Sequence, residues 1–353
     1  MKIADMLQKS VAFNIVNVLS KALTLLIFIY ASSKISVNDL GIYGEVTLIA
    51  QYVFLFSAIF TSAVVRELPI HDETNRKLSD SKLTWSIFID IALFLIATLI
   101  CFYFYFIYRN EPFGYLYIYL GLFIIFQKLH QIWSSITLTR KEFDMLLKSR
   151  VWQIIFFLVG FLVLGIFDIL LALLLYPFLG YMGAWIFLNS KKVFNYTTSA
   201  LEIEKKNIIK AGFTLQILTV CFWGFRLSDK TAVALLFSTE ALGIYTFIST
   251  IILFSRLAVG EFHNLLQPFV WQNIHKENNK NRQLEKISFF TGLAGLFVVY
   301  LTQIAFYLLS KFFSTQYFDY IHVFNTLSYS LFFLSISGIC GMILNSKTYS
   351  KIS

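Results

Sequence analysis

The sequence predicts an all-α, polytopic membrane protein with about ten transmembrane helices, arranged as two parallel repeats. Three observations carry that prediction: a composition too apolar for a soluble fold, lysines and arginines that fall on one side of the spans, and a block of sequence that recurs half-way along the chain. Of 353 residues, 58% are hydrophobic and only 14% charged, with 39 Phe and a mean hydropathy of +0.70. Soluble domains carry about a quarter charged residues. Globular, disordered and nucleic-acid-binding classes are excluded on that ground, despite a net charge of +9.

A spanning helix needs about 20 mostly apolar residues. Such runs lie near 11–33, 42–66, 84–107, 114–136, 151–167, 169–190, 212–237, 243–272, 287–310 and 321–345. The stretch 151–190 is too long for one helix, so a tight turn at Asp168 divides it. The first run has no small-residue cleavage site after it and reads as a retained helix. The runs lack the short alternating segments of a membrane barrel. Cys101, Cys221 and Cys340 stand far apart in apolar stretches, a pattern of neither a metal site nor a disulfide framework.

With the N-terminus inside, 21 of the 29 Lys and Arg fall in inside segments and 3 (Lys34, Arg109 and Lys311) in outside loops. That asymmetry follows the positive-inside rule. It places both termini in the cytoplasm, and in a bacterial cell the chain in the inner membrane. It also accounts for the basic excess without a nucleic-acid partner.

Residues 36–60 and 238–262 align without gaps at an offset of 202, with eight identities in 25. The strongest block is Leu40-Gly41-Ile42-Tyr43 against Leu242-Gly243-Ile244-Tyr245. It is expected in an outside turn, where glycine permits a tight bend and tyrosine suits the membrane interface. The offset spans six helices, an even number, so both copies face the same way, as in transporters built from parallel repeats. The expected organisation is an N-terminal lobe of six helices (1–195), a cytoplasmic linker (196–211) and a C-terminal lobe of four helices (212–353).

The run Arg226-Leu227-Ser228-Asp229-Lys230, followed by Ser238-Thr239-Glu240-Ala241-Leu242-Gly243-Ile244-Tyr245, resembles the seventh-helix signature of the polysaccharide flippases. These are the O-antigen and capsule members of the superfamily that also holds the multidrug and toxic-compound extrusion pumps. Leu40-Gly41-Ile42-Tyr43 is similar to that family's first turn, and the basic segment from Arg140 to Arg150 to its inside loop after the fourth helix. Where the family has Asp-Arg, this chain has Asp229-Lys230, which keeps the charge but loses arginine's planar fork. The resemblance implies two lobes around a central cavity and alternating access. It also implies six helices in each lobe, so the second lobe here is incomplete by one pair. A natural short form, a fragment and an inactive remnant all fit that count.

Charges inside helices default to a functional reading, because each costs about 2.5–3.5 kcal/mol at a helix centre on insertion scales. Ser10, Asn14, Asn17, Lys21 and Thr24 recur at spacings of three and four and form one polar stripe. We expect Lys21, with Asn14 and Asn17, to line the cavity; a polar helix–helix seam is the plainer alternative. Arg226 and Lys230 share a face, and Asp229 neutralises one of them. Arg256 lies half-way along the eighth helix with no acid within four residues. Lys21, Arg226, Lys230 and Arg256 are therefore the expected substrate-binding bases, and Asp229 and Glu261 the candidate coupling acids. Lys128 and His130 are expected to snorkel to the inside interface. Glu45 and Asp90 are expected to cap or pair. Pro268 is expected to kink the eighth helix.

Such bases suit an anion, and the resemblance names it: a polyprenyl-pyrophosphate carrying an oligosaccharide repeat unit for O-antigen or capsule. Tyr and Trp would stack on sugars. Lipids, a polysaccharide polymerase and glycosyltransferases are the implied partners. No phosphate loop, nucleophile elbow or His-Glu-x-x-His motif occurs, so no enzyme chemistry, cofactor or metal is expected. An ion-coupled exporter of drugs or other small molecules is the chief rival. It should favour cavity acids, whereas the helices hold five bases and four acids (Glu45, Asp90, Asp229 and Glu261). A membrane polymerase would need a large polar outside loop, which this chain lacks.

Overall fold

The computed structural model describes residues 3–55, 60, 61, 64, 76–109, 114, 116–140, 142–191, 209, 213, 217, 220, 221, 224, 227–274, 280–312 and 316–337. Side chains before Ala12, of Asn14 and from Gly260 to Ser288, with a few others, lie outside the description. Among the described residues there is no strand, and the helices follow the expected runs. They are α1 (Ile3–Ser32), α2 (Val37–Leu55), α3 (Arg76–Tyr108), α4 (Leu116–Thr139), α5 (Phe143–Gly165) and α6 (Ile169–Ser190). The second half holds a helical stretch 227–236, α7 (Thr239–Ile274), α8 (Lys280–Phe312), a 3-10 turn (Gln316–Tyr320), α9 (Ile321–Ser328) and helical residues 330–337.

Five of these are long and apolar enough to cross a membrane: Ile15–Ser32, Asp80–Tyr108, Phe143–Gly165, Ile169–Ser190 and Phe289–Lys311. Their exposed faces are apolar. On α3, Phe88 is 71% exposed and Leu99 66%; on α8, Phe289 and Phe297 are 65% and 64% exposed. Water would not tolerate such stripes, whereas lipid requires them. The chain is a multi-pass membrane protein.

The division at Asp168 is present. Its carboxylate accepts the N–H groups of Leu170 (2.8 Å) and Leu171 (3.1 Å), so it N-caps α6. The turn lets α5 and α6 pack side by side through glycines. A Cβ added at Gly180 would fall inside the Phe157 ring, one at Gly183 would lie 2.5 Å from the Phe156 ring, and one at Gly160 would meet Leu179 Cδ1 at 2.7 Å. Aromatic knobs from α5 thus fill notches in α6 while a leucine of α6 fills a notch in α5. Close approach through small residues is how helices gain packing energy in lipid.

By compactness the chain divides into two units, Met1–Gly243 and Ile244–Ser353. The segment expected as a linker lies, apart from Ile209, outside the described residues. In the first unit, α3, α4 and α6 enclose a core around Leu83, Ile87, Phe94, Ile132, Trp133 and Leu188. In the second unit, aromatic stacking holds the helices together. Phe306 stacks on Phe324 at 3.7 Å and Phe247 on Tyr317 at 4.5 Å, and all four are essentially inaccessible.

The repeat has the same local structure in both copies. Ser36 Oγ accepts the Asp39 N–H (3.1 Å) at the start of α2, and Ser238 Oγ accepts the Ala241 N–H (3.2 Å) at the start of α7. The next backbone bonds also match, Leu40 N–H to Ser36 O and Leu242 N–H to Ser238 O. The Leu-Gly-Ile-Tyr blocks therefore lie in the first turns of helices and not in the bends before them. The glycines serve a reciprocal close approach, since a Cβ added at Gly41 would fall on the Thr239 carbonyl oxygen and one at Gly243 on that of Val37, and Tyr43 packs on Phe28 at 6.1 Å.

Candidate functional site

Lys21 sits two-thirds of the way along α1. The lipid-exposed residues of this helix, Ile15, Val18, Leu19 and Leu26, lie on one face by its 3.6-residue period. Asn17, Lys21 and Thr24 lie on another and are half-buried, with the Thr24 hydroxyl donating to Ser20 O at 2.9 Å. The Asn14 side chain is outside the described residues.

Stretch 227–236 lies against α2. Leu227 packs on Leu48, with Tyr52, Val220 and Ala234 around them. Two polar bonds flank this patch. The Lys230 ammonium donates to the Thr47 hydroxyl at 3.2 Å, and the Tyr52 and Thr231 hydroxyls lie 2.6 Å apart. The Asp229 carboxylate is exposed and accepts the Lys230 N–H at 2.7 Å. An anionic ligand is a stronger acceptor for an ammonium than a hydroxyl is, so it could displace Thr47 from Lys230. Thr47, Tyr52 and Thr231 were not legible as site residues, because hydroxyls on apolar helices usually bond to their own backbone. Arg226 lies outside the described residues.

Arg256 is half-way along α7 and half-buried, its guanidinium donating to Ser330 Oγ at 3.4 Å. Its Nε has no hydrogen-bond partner among the described residues. Nearby in the same unit, Gln303 donates to Ser328 Oγ at 2.9 Å. Glu261, His263 and Pro268 are helical, but their side chains are not described, so the expected kink and coupling acid fall outside the description.

The first unit also buries charges that sequence reasoning placed elsewhere. Lys128 and His130 do not snorkel. They are 7% and 3% exposed, because this part of α4 is enclosed by α3 and α6. Lys128 donates to Gln131 (3.3 Å) and feels the Asp90 charge. The His130 ring lies 3.1 Å from Ser134 Oγ and 5.4 Å, centre to centre, from Tyr181. Asp90 accepts the N–H groups of Thr61 (2.8 Å) and Phe60 (3.4 Å). Arg140, counted above among the inside charges, forms an ion pair with Asp80 at 2.5 Å, with side chains 4% and 5% exposed. No cluster of three or more His, Cys, Asp or Glu suited to a metal occurs among the described residues.

Among the described residues the fold combines helices of membrane-crossing length, a helix start that recurs at the repeat offset and half-buried bases. A solved structure agrees: the inward-facing conformation of a multidrug resistance MATE family transporter of the MOP superfamily. The two superpose with a TM-score of 0.64 at 12% identity, over 92% of this chain and 83% of that one. The chain thus shares the fold of that solved structure. No protein-family model matches the sequence, and no curated protein does.

Proposed function

We propose that the chain moves a polyprenyl-pyrophosphate-linked oligosaccharide across the cytoplasmic membrane by alternating access, with both termini inside. The observation that carries this reading is Lys230, an ammonium within an apolar helix whose bond goes to the Thr47 hydroxyl. A diphosphate must cross about 30 Å of hydrocarbon and needs cations along its path. Lys21, Lys230 and Arg256, with Arg226, supply them, and Asn14 and Asn17 add polar contacts. Asp229 and Glu261 are the acids proposed to couple movement to an ion gradient. A polymerase and glycosyltransferases would receive and supply the substrate.

A second reading, export of a small molecule, is favoured by the structural neighbour, a multidrug resistance transporter. Complementation separates the two. The host lacking this gene is restored with the wild-type chain, with Lys21→Ala or with Lys230→Met, and surface polysaccharide is measured. Restoration by the wild type and at least a tenfold loss in the lysine variants, at equal membrane levels, is expected. Absence of any restoration, with drug resistance gained instead, would replace this proposal with the exporter.

A further inference from the structure

Arg150 stands about two turns into α5 and faces inward. On this helix Leu146, Gln153 and Phe157 are buried, whereas Val151, Ile155 and Leu162 are exposed. By the 3.6-residue period Arg150 falls among the buried set. It is half-buried, so the surface it shows is turned to the helix bundle or its inner mouth and not to lipid. Among the described residues its one hydrogen bond runs to Gln153 Oε1, at 2.5 Å. That carboxamide occupies one N–H of the guanidinium and balances none of its charge.

Arginine does not escape burial by losing its proton, and a charge inside a protein needs a partner of opposite sign. Lys128 of α4 feels the Asp90 charge. The groups that share the field of Arg150 among the described residues are instead His130 and Tyr181, neither of them an acid of the carboxylate kind. Both offer hydrogen-bond donors, an imidazole N–H and a phenolic O–H. Their rings lie 5.4 Å apart, and Phe123 and Phe157 pack on the Tyr181 ring at 6.0 and 5.9 Å. One turn farther along α6, Trp185 rests on Phe126 and Trp133, which flank His130 on α4. The Trp185 Nε1–H is buried and has no hydrogen-bond partner among the described residues. A buried donor left unpaired is costly. Three helices therefore gather a permanent cation and neutral donors within aromatic walls, around no carboxylate.

We propose that the first unit holds a small inorganic anion of the size of chloride between α4, α5 and α6, bound by Arg150 with His130 and Tyr181. One guanidinium calls for one negative charge. A compact monovalent ion needs few donors and fits among rings, whereas a phosphate brings more charge and more acceptor oxygens than this set can match. The bound ion neutralises Arg150 and ties α5 to α4 and α6. None of the bases assigned above to the substrate belongs to the set, so the ion is a structural counter-charge and the stability of the unit depends on it.

The test uses the full chain in detergent, at constant ionic strength, as sodium chloride replaces sodium gluconate. The unfolding temperature is followed, with the line width of the chloride magnetic resonance as a direct probe of exchange onto the protein. Both should rise and saturate for the wild type. Arg150→Met should lose both responses and be no less stable than wild type in gluconate, because it leaves no bare charge. Tyr181→Phe keeps the ring, removes one donor to the ion and should raise the half-saturating chloride about tenfold. That variant keeps the proposal testable if Arg150→Met fails to fold. Lys230→Met should respond to chloride as the wild type does. A wild type indifferent to chloride, or an Arg150→Met or Tyr181→Phe chain that responds like wild type, would overturn the site. So would an Arg150-dependent rise with pyrophosphate at lower concentration than with chloride, which would make these residues a subsite for a diphosphate head group. Neither readout involves transport, so failure of the flippase reading leaves the anion site untouched.

Discussion

The buried pair of Asp80 and Arg140 makes the sharpest prediction about what holds the first unit together. It joins the start of α3 to the residue after α4, with an Nη2 to Oδ1 distance of 2.5 Å and side chains 4% and 5% exposed. At an effective dielectric constant near 20, Coulomb attraction at that distance is about 6–7 kcal/mol, most of it offset by the desolvation of both groups. Removing one partner of a buried ion pair costs up to about 3–5 kcal/mol. Asp80→Ala and Arg140→Met should each lose that much in reversible unfolding by SDS in mixed micelles. The double variant removes both charges of the pair and should lose clearly less than the sum of the two single losses. Arg140→Lys keeps the charge without the planar fork and should fall between. Additivity of the two single changes within about 0.5 kcal/mol would mean no coupling and would refute the pairing.

The α5–α6 interlock predicts that Gly180→Leu destabilises the protein by overpacking, by about 1–3 kcal/mol or more. Phe157→Ala in the same chain should restore part of the loss in the same unfolding assay. Asp168→Ala should cost about 1 kcal/mol by removing the cap of α6, and Asp168→Ser should cost less; equal losses would show that the side-chain cap is not the cause.

Much of the fold was legible because lipid imposes a simple rule: each span needs a long apolar run. The Asp168 turn could be placed because 151–190 exceeds one span and aspartate caps helices. The repeat marked a duplicated pair, although the helix starts capped by Ser36 and Ser238 lie several residues before the expected ones. The rest was hidden in long-range geometry. Arg140 lies 60 residues from Asp80, so its charge read as topology alone. Lys128 and His130 looked able to reach an interface because periodicity does not reveal how completely neighbouring helices enclose one. The glycines at 41 and 243 were given a bend to make; only the meeting of the two copies reveals that they permit backbone contact. Lys230 was identifiable from its charge, whereas Thr47, its partner 183 residues away, carried no signal.

The reciprocal glycine contact has a historical consequence. In a homodimer of a single ancestral half, one codon would specify both glycines, and any substitution there would strike the crossing twice. Fusion of the halves into one chain separates those fates. One copy can now drift while its twin still holds half of the crossing, so chains descended from such a fusion can lose symmetry at this point one side at a time.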